Sequence, residues 1–260
     1  MKLYCFEESI ISTQRKFILK TESEDPMYVP VTYYLIERNG EYLLCDMGYN
    51  RKAYANIRDY LPEIICDAYP PKLEDEKWVV NGVKKAGLKI EDIKYVLLSH
   101  LHIDHAGNVG AFPNATYVVQ KKERVYAKNP NEQMKPMYLE DDFDKDVKWL
   151  EIDGEANPQY DLFGDGSVVL YYTPGHCPGH QSLMLTFDNG EKIMLTGDAC
   201  YSNETIDHNI PSAVMHEPEK YMENIEMFRQ MKKDGILVMV GHDPEQWKDT
   251  KKFPEFYGDK

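Results

Sequence analysis

Between Tyr95 and Gly107 the chain reads YVLLSHLHIDHAG, an apolar run that ends in His100, His102, Asp104 and His105. Imidazole and carboxylate are metal ligands and proton carriers, and imidazole suits Zn, Fe, Ni and Cu. A single histidine after a strand is ordinarily a loop residue or a satisfied core residue. Three histidines and an aspartate crowded together, in a chain with eight histidines, point instead to a site. His100 and His102, two apart, face the same way on an extended segment. Asp104 and His105 are adjacent and can turn toward a second point. One strand tip therefore has the means to serve two neighbouring ions.

Other apolar runs end in the same kind of residue. LLCD ends at Asp46, VVLYYTPGH at His176, IMLTGD at Asp198 and ILVMVGH at His242. An aspartate after a strand is by default a turn residue or helix cap, and it gains weight only in company. In α/β sheets, ligands gather outside the carboxyl ends of the strands, so separate loops can bring these side chains together. His176, Asp198 and His242 join the first four as donors. That is too many for one tetrahedral site, and about right for two ions sharing a carboxylate and a hydroxide.

The elements that must position these groups are short. Strand candidates are KLYCF, VTYYLIE, EYLLCDMG, YVLLSH, TYVVQ, SVVLYYTPGH, SLMLTF, KIMLTGD and ILVMVGH. EDEKWVVNGVKKAG has helical spacing and a terminal glycine. EPEKYMENIEMFRQMKKDG starts acidic and ends with lysine and glycine, which suits the helix dipole. RNGEY and TFDNGEKI read as hairpin turns. The pattern predicts an α/β protein with mixed sheets sandwiched between helices. Residues 50–75 read as a helical excursion from the sheet, of the kind that lines a site.

Composition narrows the partners. At 260 residues with 42% hydrophobic content, one domain spanning 1–260 is expected. No run approaches the ~18 apolar residues of a membrane span, and the start lacks the pattern of a secretory signal. Five cysteines, an odd number without a C-x-x-C pair, predict buried free thiols and a reducing, cytoplasmic setting. The net charge of −14 argues against nucleic acid and against a strongly anionic substrate, leaving a small neutral molecule. QKKER and MKKDG read as solvated faces, as do His208 and His216 in their polar loop.

The pattern HLHIDH, followed by TPGHCPGH, TGDA and GHD, resembles the metallo-β-lactamase superfamily. Within it, LLCDMG, SHLHIDHAGNVGAF, YTPGHCPGHQSL, GDACY and the closing GHDPEQ and FPEFY are most similar to the N-acyl homoserine lactone lactonases, the quorum-quenching lactonases, over nearly the whole chain. The resemblance implies a four-layer αββα sandwich of two mixed sheets flanked by helices. It implies one ion on His100, His102 and His176, a second on Asp104, His105 and His242, and Asp198 between them. The ions would be divalent, Zn by default, with Fe, Mn or Co compatible. It also implies that Asp46 lies behind the donors and orients a ligand histidine, and that His180 either supports the donors from behind or packs against the strand. Tyr201 would contact the substrate carbonyl, Asp104 would relay the proton to the departing ring oxygen, and a hydroxide between the ions would attack the lactone. The acyl tail would lie against Ile103 and the 50–75 excursion. Ile103, Asn108-Val109 and the 50–75 segment depart from the lactonase pattern, and all three bear on tail preference rather than on the donors.

Three other readings stay open on the sequence: a metal-dependent esterase or lactonase for another small ester, a thioesterase like the hydroxyacylglutathione hydrolases, and a non-catalytic metal-binding protein.

Overall fold

The structure is a computed structural model that describes residues 1–258. In chain order the strands are β1 (Lys2–Gln14), β2 (Pro26–Arg38), β3 (Glu41–Cys45), β4 (Pro71–Leu73), β5 (Ile93–Leu97), β6 (Thr116–Gln120), β7 (Lys148–Ile152), β8 (Gln159–Asp161), β9 (Val168–Tyr172), β10 (Gln181–Thr186), β11 (Lys192–Leu195), β12 (Leu237–Met239) and β13 (Tyr257–Gly258). The helices are α1 (Arg15–Ile18), α2 (Glu63–Ala68), α3 (Val79–Lys85), α4 (Lys121–Ala127), α5 (Glu140–Phe143), α6 (Asn203–His208), α7 (Pro218–Lys233) and α8 (Pro244–Asp249).

Two mixed sheets result. The first runs β13-β1-β2-β3-β5-β6-β7, with β4 added along β1; the second runs β12-β11-β10-β9-β8. Antiparallel hairpins build β1 to β3, and parallel pairing takes over from β3 through β7. The β2–β3 turn is made at Asn39 and Gly40, both at positive φ (49° and 79°), the left-handed pair that a tight hairpin needs.

Strand alternation assigns the layers. Along β2, Tyr33 and Leu35 join the core beneath α3 to α5, while Tyr34 and Ile36 face the second sheet. Along β10 and β11, Leu183, Leu185, Ile193 and Leu195 face the first sheet, while Met184 and Met194 pack on Tyr221, Ile225 and Phe228 of α7. The order is helices, sheet, sheet, helices, the four-layer sandwich expected.

Local differences have physical reasons. The helix expected over EDEKWVVNGVKKAG begins only at Val79, because Trp78 is extended (ψ 136°) and a 3-10 turn occupies Asp75–Lys77. Its indole nitrogen donates to Asn108 Oδ1 at 2.8 Å, which holds Trp78 out of the helix. The 50–75 excursion is 3-10 turns at Arg51–Tyr54 and Ile57–Asp59, then α2, then β4 paired to β1. QKKER is not a wholly solvated face: Gln120 and Glu123 are buried. All five cysteines are free and buried. Among the described residues, no helix is long and apolar enough to cross a membrane.

Candidate metal centre

Five strands end at one edge of the sandwich, and each passes its chemistry to the loop that follows. Asp46 follows β3, His100 to His105 follow β5, His176 follows β9, Asp198 follows β11 and His242 follows β12. The structure gathers the seven donors singled out in the sequence into two groups that could hold a metal ion. One is His100, His102, His176 and Asp198; the other is Asp104, His105 and His242. Asp198 faces both. Its Oδ2 lies 3.2 Å from His176 Nε2 and 3.7 Å from His100 Nε2. Its Oδ1 lies 3.2 Å from His105 Nε2 and 3.1 Å from His242 Nε2. Asp104 Oδ2 adds distances of 3.6 Å to His105 and 3.8 Å to His242.

The imidazoles are held from behind. His176 Nδ1 donates to Val214 O (3.1 Å) and His242 Nδ1 to Pro30 O (2.8 Å), so each Nε2 faces inward with a free lone pair. Asp46 governs two more. Its φ of +58° turns its carboxylate back onto the strand tip, where Oδ1 accepts the Ser99 N–H (2.8 Å) and Oδ2 accepts the Ser99 hydroxyl (2.8 Å). The same Oδ2 lies 2.8 Å from His105 Nδ1, and Ser99 Oγ lies 2.9 Å from His100 Nδ1. One carboxylate thus orients a histidine from each group, one directly and one through Ser99. His180 is no donor to the centre: its Nε2 accepts the Asp198 N–H at 3.0 Å while Nδ1 meets Thr173 Oγ1 at 2.9 Å. Gly197 makes that possible, since a Cβ there would lie 2.9 Å from His180 Nε2 and φ is +53°.

The donor set suits a cation. His100 Nε2, His105 Nε2 and Asp198 Oδ1 are buried without a hydrogen-bond partner. Such an atom costs ~1–3 kcal/mol unless something satisfies it. His102 Nδ1 sits 3.1 Å from the inward Nε2 of His176, a pair of ring nitrogens that a shared ion would satisfy together. Burial disfavours the charged form of His105, yet the carboxylates of Asp198, Asp104 and Asp46 hold its imidazole well above the usual range. For Asp198, burial opposes ionisation but His105, His242 and His176 hold the carboxyl well below the carboxylate range. The field that attracts protons here attracts divalent cations in the same way.

The centre opens into a cleft. Its walls are apolar: Ile11 and Val29 from the first sheet, Phe17 and Ile18 of α1, Ile65 of α2, Tyr69 just beyond it, and Ile103 and Met137. Among the described residues, no lysine or arginine lines it. Ile103 is buried in the wall, beside Asp104. Tyr201 is buried too, its ring 5.0 Å from that of His242 and 5.5 Å from that of His176. Burial, reinforced by Asp198 and Asp104, pushes its hydroxyl well above the usual phenol range, so it stays a donor. His208 is exposed, but His216 is half-buried against Tyr126, with ring centroids 5.0 Å apart.

Sequence reasoning missed Ser99, whose role depends on the turn of Asp46. It also missed two buried carboxylates. Glu8, on β1, accepts the Tyr49 N–H (3.1 Å) and the Tyr54 hydroxyl, and burial pushes it up to about 7. Glu123, on α4, accepts the Leu101 N–H (3.1 Å), the Gly179 N–H (3.1 Å) and the Tyr138 hydroxyl (2.8 Å). Glu123 lies in QKKER, which reads as a solvated face, and Glu8 in the middle of β1; a charged residue in either stretch gives no sign of burial.

Comparison with known proteins gives a consistent picture. Residues 27–242 match the family described as the Metallo-beta-lactamase superfamily. The N-acyl homoserine lactonase AttM of Rhizobium radiobacter is 34% identical over 263 residues, covering 99% of this chain and 98% of that protein. The N-acyl homoserine lactonase AiiA of Bacillus thuringiensis subsp. kurstaki is 34% identical over 229 residues, covering 88% of this chain and 87% of its own. A solved N-acyl homoserine lactone hydrolase, with the product N-hexanoyl-L-homoserine at its catalytic metal centre, superposes with a TM-score of 0.87 at 29% identity over 98% of both chains.

Proposed function

The chain belongs to the metallo-beta-lactamase superfamily, and from that premise we propose that it is a metal-dependent hydrolase that opens the lactone ring of N-acyl homoserine lactones. His100, His102 and His176 would hold one divalent ion and Asp104, His105 and His242 a second, with Asp198 presenting one oxygen to each. Zn suits these donors best, and Fe, Mn or Co fit the same set. Bound there, the ions supply Lewis acidity toward the ester carbonyl and acidify a water to near neutral pH.

The chain's own residues do the rest. Tyr201 donates its hydroxyl to the carbonyl oxygen as negative charge develops on it. Asp104, lining the cleft, takes the proton released as water adds and passes it to the ring oxygen when the acyl C–O bond breaks. The products are a carboxylic acid and the freed hydroxyl of the same molecule. Ile103, Ile65 and Phe17 take the acyl tail and exclude water from the reacting ester. Asp46 and His180 hold the donors in place, Asp46 through His105 and Ser99, His180 through the Asp198 N–H.

The observation that carries this reading is that the donor cluster opens, through His102, Asp104, Asp198 and His242, onto a largely apolar cleft lined by no described lysine or arginine. A neutral ester with an apolar tail fits such a cleft; the anionic glutathione moiety of a thioester would lack a partner there. The test is to load the protein with Zn2+, supply N-hexanoyl and N-decanoyl homoserine lactone and follow acid release. Turnover well above that of Asp198→Ala is expected, and turnover no greater than that control rejects the lactonase reading. Two ions per chain are expected by metal analysis; full activity with one rejects the two-ion centre.

A further inference from the structure

The carboxylate of Glu123 lies outside the donor set, yet two of the loops that build the centre converge on it. It is fully buried at the start of α4. Oε1 accepts the Leu101 N–H, between His100 and His102, at 3.1 Å. Oε2 accepts the Gly179 N–H at 3.1 Å, in the loop that carries His176. The Tyr138 hydroxyl donates at 2.8 Å, and its ring stands edge-on to His102 with centroids 4.6 Å apart. Packing is tight: a Cβ on Gly179 would lie 2.2 Å from the Glu123 backbone nitrogen.

All these tethers lead to one group of donors. His100 and His102 flank Leu101, His102 packs on Tyr138, and His176 lies in the loop anchored at Gly179. Asp104 and His105 lie beyond a second anchor, the Ile103 N–H to Met137 O (2.9 Å), and Met47 N–H binds His105 O (2.9 Å). The His105 ring answers to Asp46, and His242 to Pro30. We propose that Glu123 is a positioning residue specific to one half of the centre, clamping the 99–102 and 176–179 loops so that His100, His102 and His176 converge on a single ion. This rests on the reading of the seven residues as metal ligands given above.

A carboxylate suits the position because only acceptors face three donors. In Glu123→Gln one oxygen becomes an NH2 that confronts at least one of those donors, so a tether is lost without change of shape. Losing a group that orients a ligand typically weakens metal binding by about 10- to 100-fold.

The experiment is Zn2+ titration of the chelator-stripped protein in competition with a chelator of known affinity. The unaltered chain is expected to take two ions. Glu123→Gln should keep one at unaltered affinity and bind the other at least tenfold more weakly. Combined with His176→Ala, it should weaken the already damaged site little further; combined with His242→Ala, it should leave both sites weak. Tyr138→Phe removes a single tether, should weaken the same ion less, and carries the test if Glu123→Gln does not fold. Equal weakening of both ions, no weakening of either, or non-additivity with His242→Ala instead of His176→Ala would overturn the proposal. An unaltered chain that takes no zinc would overturn the proposed function itself, and this inference with it.

Discussion

Asp198 meets four imidazoles with two oxygens, two rings to each oxygen. Its placement depends on His180 from behind and on a glycine before it. The centre is therefore as sensitive to the groups behind its donors as to the donors. Asp46 touches a histidine from each group, so Asp46→Asn should weaken both ions by about 10- to 100-fold in the same Zn2+ titration. That contrasts with the single ion affected at Glu123. In the proposed mechanism, Tyr201→Phe removes one donor to the developing oxyanion without altering the apolar wall. It should lower kcat about 100-fold and change KM little, as read from initial rates on one lactone.

At the scale of the element, the 50–75 excursion is pinned to α5 through one buried carboxyl. Asp142 Oδ1 accepts the Tyr60 hydroxyl (2.5 Å) and the Asn50 amide (2.8 Å), while Oδ2 is buried without a partner. Burial pushes this carboxyl up to about 7, against an ordinary 3.8. The unfolded chain thus releases its proton near pH 4, whereas the folded chain keeps it to near pH 7. Stability from this group is full at low pH and falls as pH rises between those values. Asp142→Asn can keep both bonds and cannot ionise. Its stability relative to the unaltered protein should rise by ~3 kcal/mol as pH goes from 5 to 8, read from denaturant unfolding at each pH. The same excursion brings Ile65 into the cleft. Ile65→Ala should lower kcat/KM for decanoyl relative to butanoyl lactone by about tenfold, measured in direct competition. The helical character of 50–75 is legible from its spacing, but its route is not: Asp142 is 92 residues from Asn50 and 82 from Tyr60, and only the fold makes them neighbours.

For the whole molecule, the donors come from loops of both sheets, so an ion filling either group ties the layers together. Removing metal by chelation should lower the melting point. At free metal 100 times the dissociation constant, binding contributes ~2.7 kcal/mol per ion, or about 5–10 °C in a chain of this size. The sandwich is legible because hairpin turns and short apolar runs repeat along the chain. Which side of each strand faces which layer is not, because Tyr33, Tyr34, Leu35 and Ile36 are apolar on both faces of β2. The donors are legible because histidine and aspartate are conspicuous where apolar runs stop. Glu123 and Ser99 are not, because their roles lie in what they hold. One group of donors lies wholly within residues 100–198, while the other waits for His242, whose ring is set by Pro30, 212 positions earlier. During synthesis, then, a ribosome releases one complete group of donors well before the other can be assembled, and the last piece of that group must reach back to one of the first strands made.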